Sequence, residues 1–136
     1  MIKRVTHSTL YVKDQNEALR FYTEKLGFDL HTDATMGDFR WLTVSPKDQP
    51  EFELILYGLR ADNYFLSEED VKAISHLLES GKLGGPVLKA DDLQKTYEEM
   101  KAKGVEFLSP PTEQPYATEA VFKDNSGNMF SLQQDK

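Results

Sequence analysis

The sequence predicts an α+β fold of two βαβββ modules, and three observations carry that reading. A β-rich stretch, an amphipathic helix and three further strand-like stretches occur twice in the same order. The two helices open on acidic caps, Asp14 and Asp92, and their closing pairs, Gly27-Phe28 and Gly104-Val105, match once one residue is deleted from the second helix. The chain of 136 residues is 39% hydrophobic and 11% aromatic, enough for one packed unit or two small modules sharing a core. Identity between the halves is low, so the repeat rests on element order; two unrelated βα units of similar length are the plain alternative.

In order along the chain, Val5 to Val12 is rich in β-formers and reads as the first strand. Asp14 followed by Glu17 marks a helix start, Ala18, Leu19, Phe21, Tyr22 and Leu26 form its apolar stripe, and Gly27 ends it. Phe28 to Thr35, Phe39 to Ser45 and Phe52 to Tyr57 follow as strands, separated by Met36-Gly37-Asp38 and by a proline-flanked loop. Ser67-Glu68-Glu69-Asp70 has the capping-box pattern, and the stripe Val71, Ile74, Leu77, Leu78 predicts a connecting helix ending before Gly81. The second module repeats the plan. Pro86 to Ala90 is a short strand, and Asp91-Asp92 open a helix with Leu93, Tyr97 and Met100 on one face. Val105 to Leu108, Tyr116 to Lys123 and Met129 to Gln133 are its remaining strands. The boundaries are then module 1 at about 1–58, a connecting segment at about 59–84 and module 2 at about 85–136, within a single domain.

Composition removes several function classes. Sixteen basic against 23 acidic residues give a net charge of −7, with no basic face to neutralise phosphates, so nucleic acid is not an expected partner. The absence of cysteine removes disulfides, thiolate metal sites and cysteine nucleophiles. No apolar run approaches signal-peptide or membrane-spanning length, which leads to the expectation of a cytoplasmic protein without a membrane partner.

Several short pieces in fixed order resemble the vicinal oxygen chelate superfamily of glyoxalases, bleomycin-resistance proteins, fosfomycin-resistance enzymes and extradiol dioxygenases. They are His7; Asp14, Ala18, Phe21-Tyr22 and Leu26-Gly27-Phe28; Phe52-Glu53-Leu54; Ala90-Asp91-Asp92-Leu93, Tyr97 and Lys103-Gly104-Val105-Glu106-Phe107; and Asp124 with Gly127-Asn128. The resemblance covers all but about residues 58–84. It implies two modules whose mixed sheets curl around a cavity, in a glyoxalase-like fold and commonly in a homodimer.

In metal-dependent members of that family the ligands come from the first and fourth strands of each module, and the matching positions here are His7, Glu53, Gly85 and Ser131. Imidazole and carboxylate suit Zn, Ni, Mn or Fe(II). Glycine offers no ligand and serine only a neutral hydroxyl, so His7 and Glu53 form an incomplete metal set and no cofactor is expected; one divalent metal is the alternative. Strand alternation from these positions turns Thr9, Tyr11, Ile55, Tyr57, Phe39, Trp41 and Thr43 to the cavity in module 1, and Val87, Lys89, Glu119, Val121, Met129 and Gln133 in module 2. Tyr11, Phe39, Trp41, Tyr57, Lys89 and Glu119 are the expected ligand-binding residues, with a Glu53–Lys89 salt bridge as the structural alternative.

Three functions fit. The leading expectation is a protein of the bleomycin-resistance type that binds a small organic molecule in its cavity without a complete metal site. A divalent-metal-dependent lyase, transferase or dioxygenase using His7 and Glu53 is the second, and a non-catalytic structural or interaction dimer the third.

Overall fold

A computed structural model of the chain describes residues 1–62 and 65–136. Its elements are β1 (His7–Val12), α1 (Gln15–Arg20), β2 (Asp29–Met36), β3 (Phe39–Ser45), β4 (Glu53–Gly58), α2 (Glu68–Glu79), β5 (Leu88–Lys89), α3 (Leu93–Ala102), β6 (Glu106–Glu113), β7 (Thr118–Lys123) and β8 (Met129–Gln134). The βαβββ order therefore occurs twice, in two compact units, Met1–His76 and Leu77–Lys136. Each carries one open four-stranded mixed sheet, with strand orders β1-β4-β3-β2 and β5-β8-β7-β6.

In the first unit β1 runs parallel to β4 with His7 opposite Glu53 and Tyr11 opposite Tyr57. Alternation along the strands buries Leu10, Val12, Leu42, Val44, Leu54 and Leu56. These are the residues that the apolar pattern assigns to the helix side. The Asp14 carboxylate accepts the Glu17 N–H at 2.9 Å, which starts α1. The helix then widens into a π-helical turn over Phe21–Lys25, in which the Leu26 N–H reaches the Phe21 carbonyl at 3.3 Å. That turn places Phe21 and Tyr22 in the core, with Tyr22 packed edge-on against Phe28.

The capping box before α2 forms as the spacing predicts, with Ser67 and Asp70 exchanging backbone-to-side-chain bonds of 2.9 and 3.1 Å. In the second unit Asp92 caps α3 through the Lys95 N–H at 3.1 Å. Strand β6 runs five residues beyond the expected end at Leu108, through Pro110-Pro111. Proline cannot donate to a ladder; the extension is tolerated because β6 is an edge strand whose register jumps from Ser109 to Thr112.

The parallel pair β5–β8 is slid by two residues relative to β1–β4. Lys89 lies opposite Gln133, and the Gly85 N–H donates to the Met129 carbonyl at 3.0 Å. Gly85 and Ser131, matched to His7 and Glu53 by spacing, therefore do not face each other. A Cβ on Gly84 would stand 2.8 Å from the Met129 carbonyl oxygen, so this close approach of the chain to β8 depends on glycine.

The β7–β8 turn closes on one carboxylate. Asp124, 4% exposed, accepts the N–H groups of Ser126, Gly127 and Asn128 through Oδ1, each at 2.9 Å, and the Asn128 side-chain amide through Oδ2 at 3.0 Å. Gly127 sits at φ +107° with Leu78 of α2 directly above, so that a Cβ there would lie 2.3 Å from the Leu78 carbonyl oxygen. Asp124→Ala is expected to destabilise the fold by about 2–4 kcal/mol through orphaned buried donors, and Gly127→Ala by about 2 kcal/mol or more through strain and clash. Urea denaturation of the two variants measures both.

Candidate functional site

On the sheet of the first unit, one end of the face shared by His7, Glu53 and Thr43 is polar. The Glu53 side chain is 14% exposed and needs donors, because a carboxylate removed from water without them is costly. Three reach it. His7 Nε2 lies 2.8 Å from Oε2, and His31 Nδ1 lies 3.0 Å from Oε1. Oε1 also accepts the Thr43 hydroxyl at 2.8 Å. Thr43 pairs with Ile55, so its bond to Glu53 is a cross-strand diagonal.

Facing an acceptor-only carboxylate, Nε2 donates, and Nδ1 lies in hydrogen-bond contact with the Thr6 hydroxyl at 2.7 Å. Both ring nitrogens of His7 are spent. The Trp41 ring lies tilted against the imidazole, 5.8 Å between centroids.

Sequence reasoning misses His31. Strict alternation from Met36 through Ala34 and Thr32 puts residue 31 on the opposite face, but the β2–β3 register shifts between Leu30 and Thr32. His31 is the extra residue of that bulge, and the bulge re-aims it towards Glu53. Nothing in the sequence marks the bulge.

The residues implied for a divalent metal do not fit one. Among the described residues no group of three or more His, Cys, Asp or Glu side chains is placed to hold a metal ion. His7 and His31 bond opposite oxygens of Glu53.

The other end of the same face is aromatic. Tyr57 is ringed by Tyr11, Phe39 and Phe65 at centroid distances of 5.7, 5.7 and 5.6 Å. Phe39, Tyr57 and Phe65 line a cavity of about 680 Å³ together with Gln15, Met36, Asp38, Arg40, Gly58, Arg60, Ala61 and Asp62. Gln15 is wedged beneath it, donating to the Leu56 carbonyl at 2.8 Å and the Arg40 carbonyl at 3.2 Å. Burial pushes the Tyr57 hydroxyl above its ordinary pKa, and the nearby Asp62 carboxylate adds to the shift.

Of the expected ligand-binding residues, Phe39 and Tyr57 line this cavity and Tyr11 packs behind Tyr57, while Trp41 stands with His7. Lys89 pairs with Asp135 at 2.6 Å and contacts Gln133 at 3.2 Å, on an exposed strand end. The long lysine stem lets the ammonium reach the Asp135 carboxylate and stay in water. The cavity residues Gln15, Arg40 and Arg60 carry no sequence signal, since a cap-proximal helix position, a strand and a loop bring them together.

In the second unit Glu119 accepts the hydroxyls of Ser131 and, at 2.9 Å, Tyr116, while the Gln133 amide donates to Ser131 at 3.0 Å. Ser131 and then Tyr116 hold the Glu119 carboxyl below its ordinary pKa. The diagonal has the same place in the β7–β8 pair as Thr43–Glu53 in β3–β4, with hydroxyl and carboxylate exchanged between the strands.

The fold and the sheet-face carboxylates define the class, and comparison gives the family. The chain matches the Glyoxalase/Bleomycin resistance protein/Dioxygenase superfamily over residues 4–132 and belongs to it. It is 39% identical over 132 residues to the uncharacterised protein YurT of Bacillus subtilis (strain 168), covering 96% of this chain and 98% of that one. Among solved structures it is similar to UcmS2, with 44% identity, a TM-score of 0.91 and 98% of each chain covered. It is also similar to TnmS3, an antibiotic binding protein from Streptomyces sp. CB03234, with 29% identity, a TM-score of 0.77 and 99% and 98% covered. No helix among the described residues is long and apolar enough to cross a membrane.

Two outcomes test the polar network. Glu53→Ala leaves the donors of His7, His31 and Thr43 without their acceptor and is expected to cost about 1–3 kcal/mol, with Glu53→Gln losing less; thermal denaturation reads both. Glu119, with its folded pKa depressed, contributes stability that is present above the ordinary carboxyl value of 4.5 and lost as pH falls through the folded value. The Tm difference between wild type and Ser131→Ala should therefore be widest near neutrality and close as pH falls below 4.5 and through the folded value.

Proposed function

We propose that this protein binds a small, flat, aromatic organic molecule in the cavity of its first unit and does so without a metal ion. The cavity of about 680 Å³ carries the reading: its size is that of a drug-sized site, and three of its walls are aromatic. Phe39 and Phe65 are exposed aromatic side chains on either side of Tyr57, a costly arrangement unless a ligand covers it. Stacking and burial on these rings supply affinity, and the surrounding polar groups orient the guest.

The bonding of Glu53 supports the metal-free half of the reading. A lyase, transferase or dioxygenase of the metal-dependent kind would need His7 Nε2 and the Glu53 oxygens turned to one ion, whereas each is already engaged with the other. The similarity to an antibiotic binding protein, TnmS3, points the same way. Family membership carries the further expectation of a homodimer, which sedimentation measures.

Calorimetric titration with a panel of polycyclic aromatic antibiotics tests the proposal. We expect saturable one-site binding that Tyr57→Ala weakens about tenfold, that His7→Ala changes by less than about twofold, and that added Zn²⁺, Ni²⁺ or Mn²⁺ leaves unchanged. Failure of the whole panel to bind, or binding indifferent to Tyr57→Ala, overturns the cavity reading. Stoichiometric metal retained by the wild type and lost in His7→Ala would replace it with the metal-dependent one.

A further inference from the structure

We infer that Arg60 sets the charge preference of the cavity and that the site selects aromatic molecules bearing a carboxylate or a comparable oxyanion. The inference rests on the cavity reading above and adds the chemistry of the guest.

Two guanidinium groups line the cavity, and their bonding differs. Arg40 is committed to its own unit. Its Nε and Nη2 form a bidentate pair with Asp33 at 2.9 and 2.8 Å, and Nη1 donates to Asn16 at 2.6 Å. The Asp33 pairing holds that carboxyl below, and the guanidinium above, their ordinary pKa values, as expected of a charge-neutralised pair. Arg60 spends one N–H, from Nη1 to the Asp38 carbonyl at 2.6 Å. A guanidinium has five such donors, and no ion pair engages Arg60 among the described residues. It is thus a tethered cation outside any ion pair among the described residues, on a cavity wall that Asp38 and Asp62 share.

The tether matters. Asp38 sits in the turn between β2 and β3, next to Phe39, so the bond fixes the planar head of Arg60 beside the rings on which a flat guest would stack. A planar fork held in place matches two oxygens of a carboxylate with little further loss of freedom. The neighbouring acids oppose this only in part. Asp62 Oδ1 is turned back to the chain, accepting the Phe65 and Leu66 N–H groups at 2.6 and 3.3 Å. The net charge of −7 acts mainly at distances that salt screens beyond about 8 Å, whereas a direct fork contact is screened less.

The experiment uses three probes of one shape: 2-naphthoate, 2-naphthamide and 2-naphthylmethylamine, titrated calorimetrically at fixed ionic strength into wild type, Arg60→Gln and Arg60→Lys. Because Arg60 is exposed, its variants should fold, and circular dichroism checks this. The expected result is a preference for the carboxylate over the amine of about tenfold. Arg60→Gln should remove that preference and leave naphthamide within about twofold, and Arg60→Lys, which lacks the fork, should restore it only in part. Naphthoate affinity unchanged in Arg60→Gln, or the amine binding tightest to wild type, overturns the inference while the cavity reading stands. Failure of all three probes to bind overturns both.

Discussion

A carboxylate placed in the middle of a β-sheet face has to find hydrogen-bond donors there, and the first unit of this protein is arranged around that requirement at Glu53. The parallel register of β1 with β4 puts His7 directly across from it. The antiparallel register of β3 puts the Thr43 hydroxyl on the diagonal, and a bulge in β2 supplies His31. Each donor comes from a different strand, so the carboxylate ties the sheet together across its full width. Thr6 completes the chain of bonds by occupying the far nitrogen of His7.

The second unit repeats the architecture but not the chemistry. Its carboxylate, Glu119, stands on β7 rather than β8, and the hydroxyl that meets it, Ser131, stands where Glu53 stands in the first unit. A sheet-face carboxylate paired with a hydroxyl is thus kept in both halves, while histidine is found only in the first pair. Here the slide of β5 along β8 matters: with Gly84 and Gly85 drawn against Met129, the position opposite Ser131 is no longer the one a histidine would occupy by spacing from the helix cap.

Polar and aromatic ends of one sheet face divide the labour in the first unit. At the polar end the Glu53 carboxylate and both ring nitrogens of His7 are matched internally, which favours a rigid support. At the aromatic end Tyr57 is half-buried among rings whose outer members remain exposed, and the polar groups around them include the guanidinium of Arg60 with donors to spare. Unsatisfied donors beside exposed aromatic surface are features of a recognition site, whereas satisfied networks are features of a scaffold. Membership of a superfamily that includes both binding proteins and enzymes leaves function to such local differences.

Much of this was legible in the sequence, because periodicity and caps are local. The alternation of Leu10, Val12, Leu54, Leu56, Ala120 and Phe122 placed the buried face, and Asp14, Ser67, Asp70 and Asp92 placed the helix starts. It follows that Phe39, Tyr57, His7 and Glu53 share one face, since side chains two apart on a strand must do so. The tertiary structure alone decided the rest. A bulge reverses alternation at His31 without a residue type to announce it, and a two-residue slide separates Gly85 from Ser131. The cavity draws Gln15, Arg40 and Arg60 from a helix, a strand and a loop. Spacing along a chain determines which face a side chain takes; which side chains meet across strands is set by register, and register is a property of two segments that no single one of them encodes.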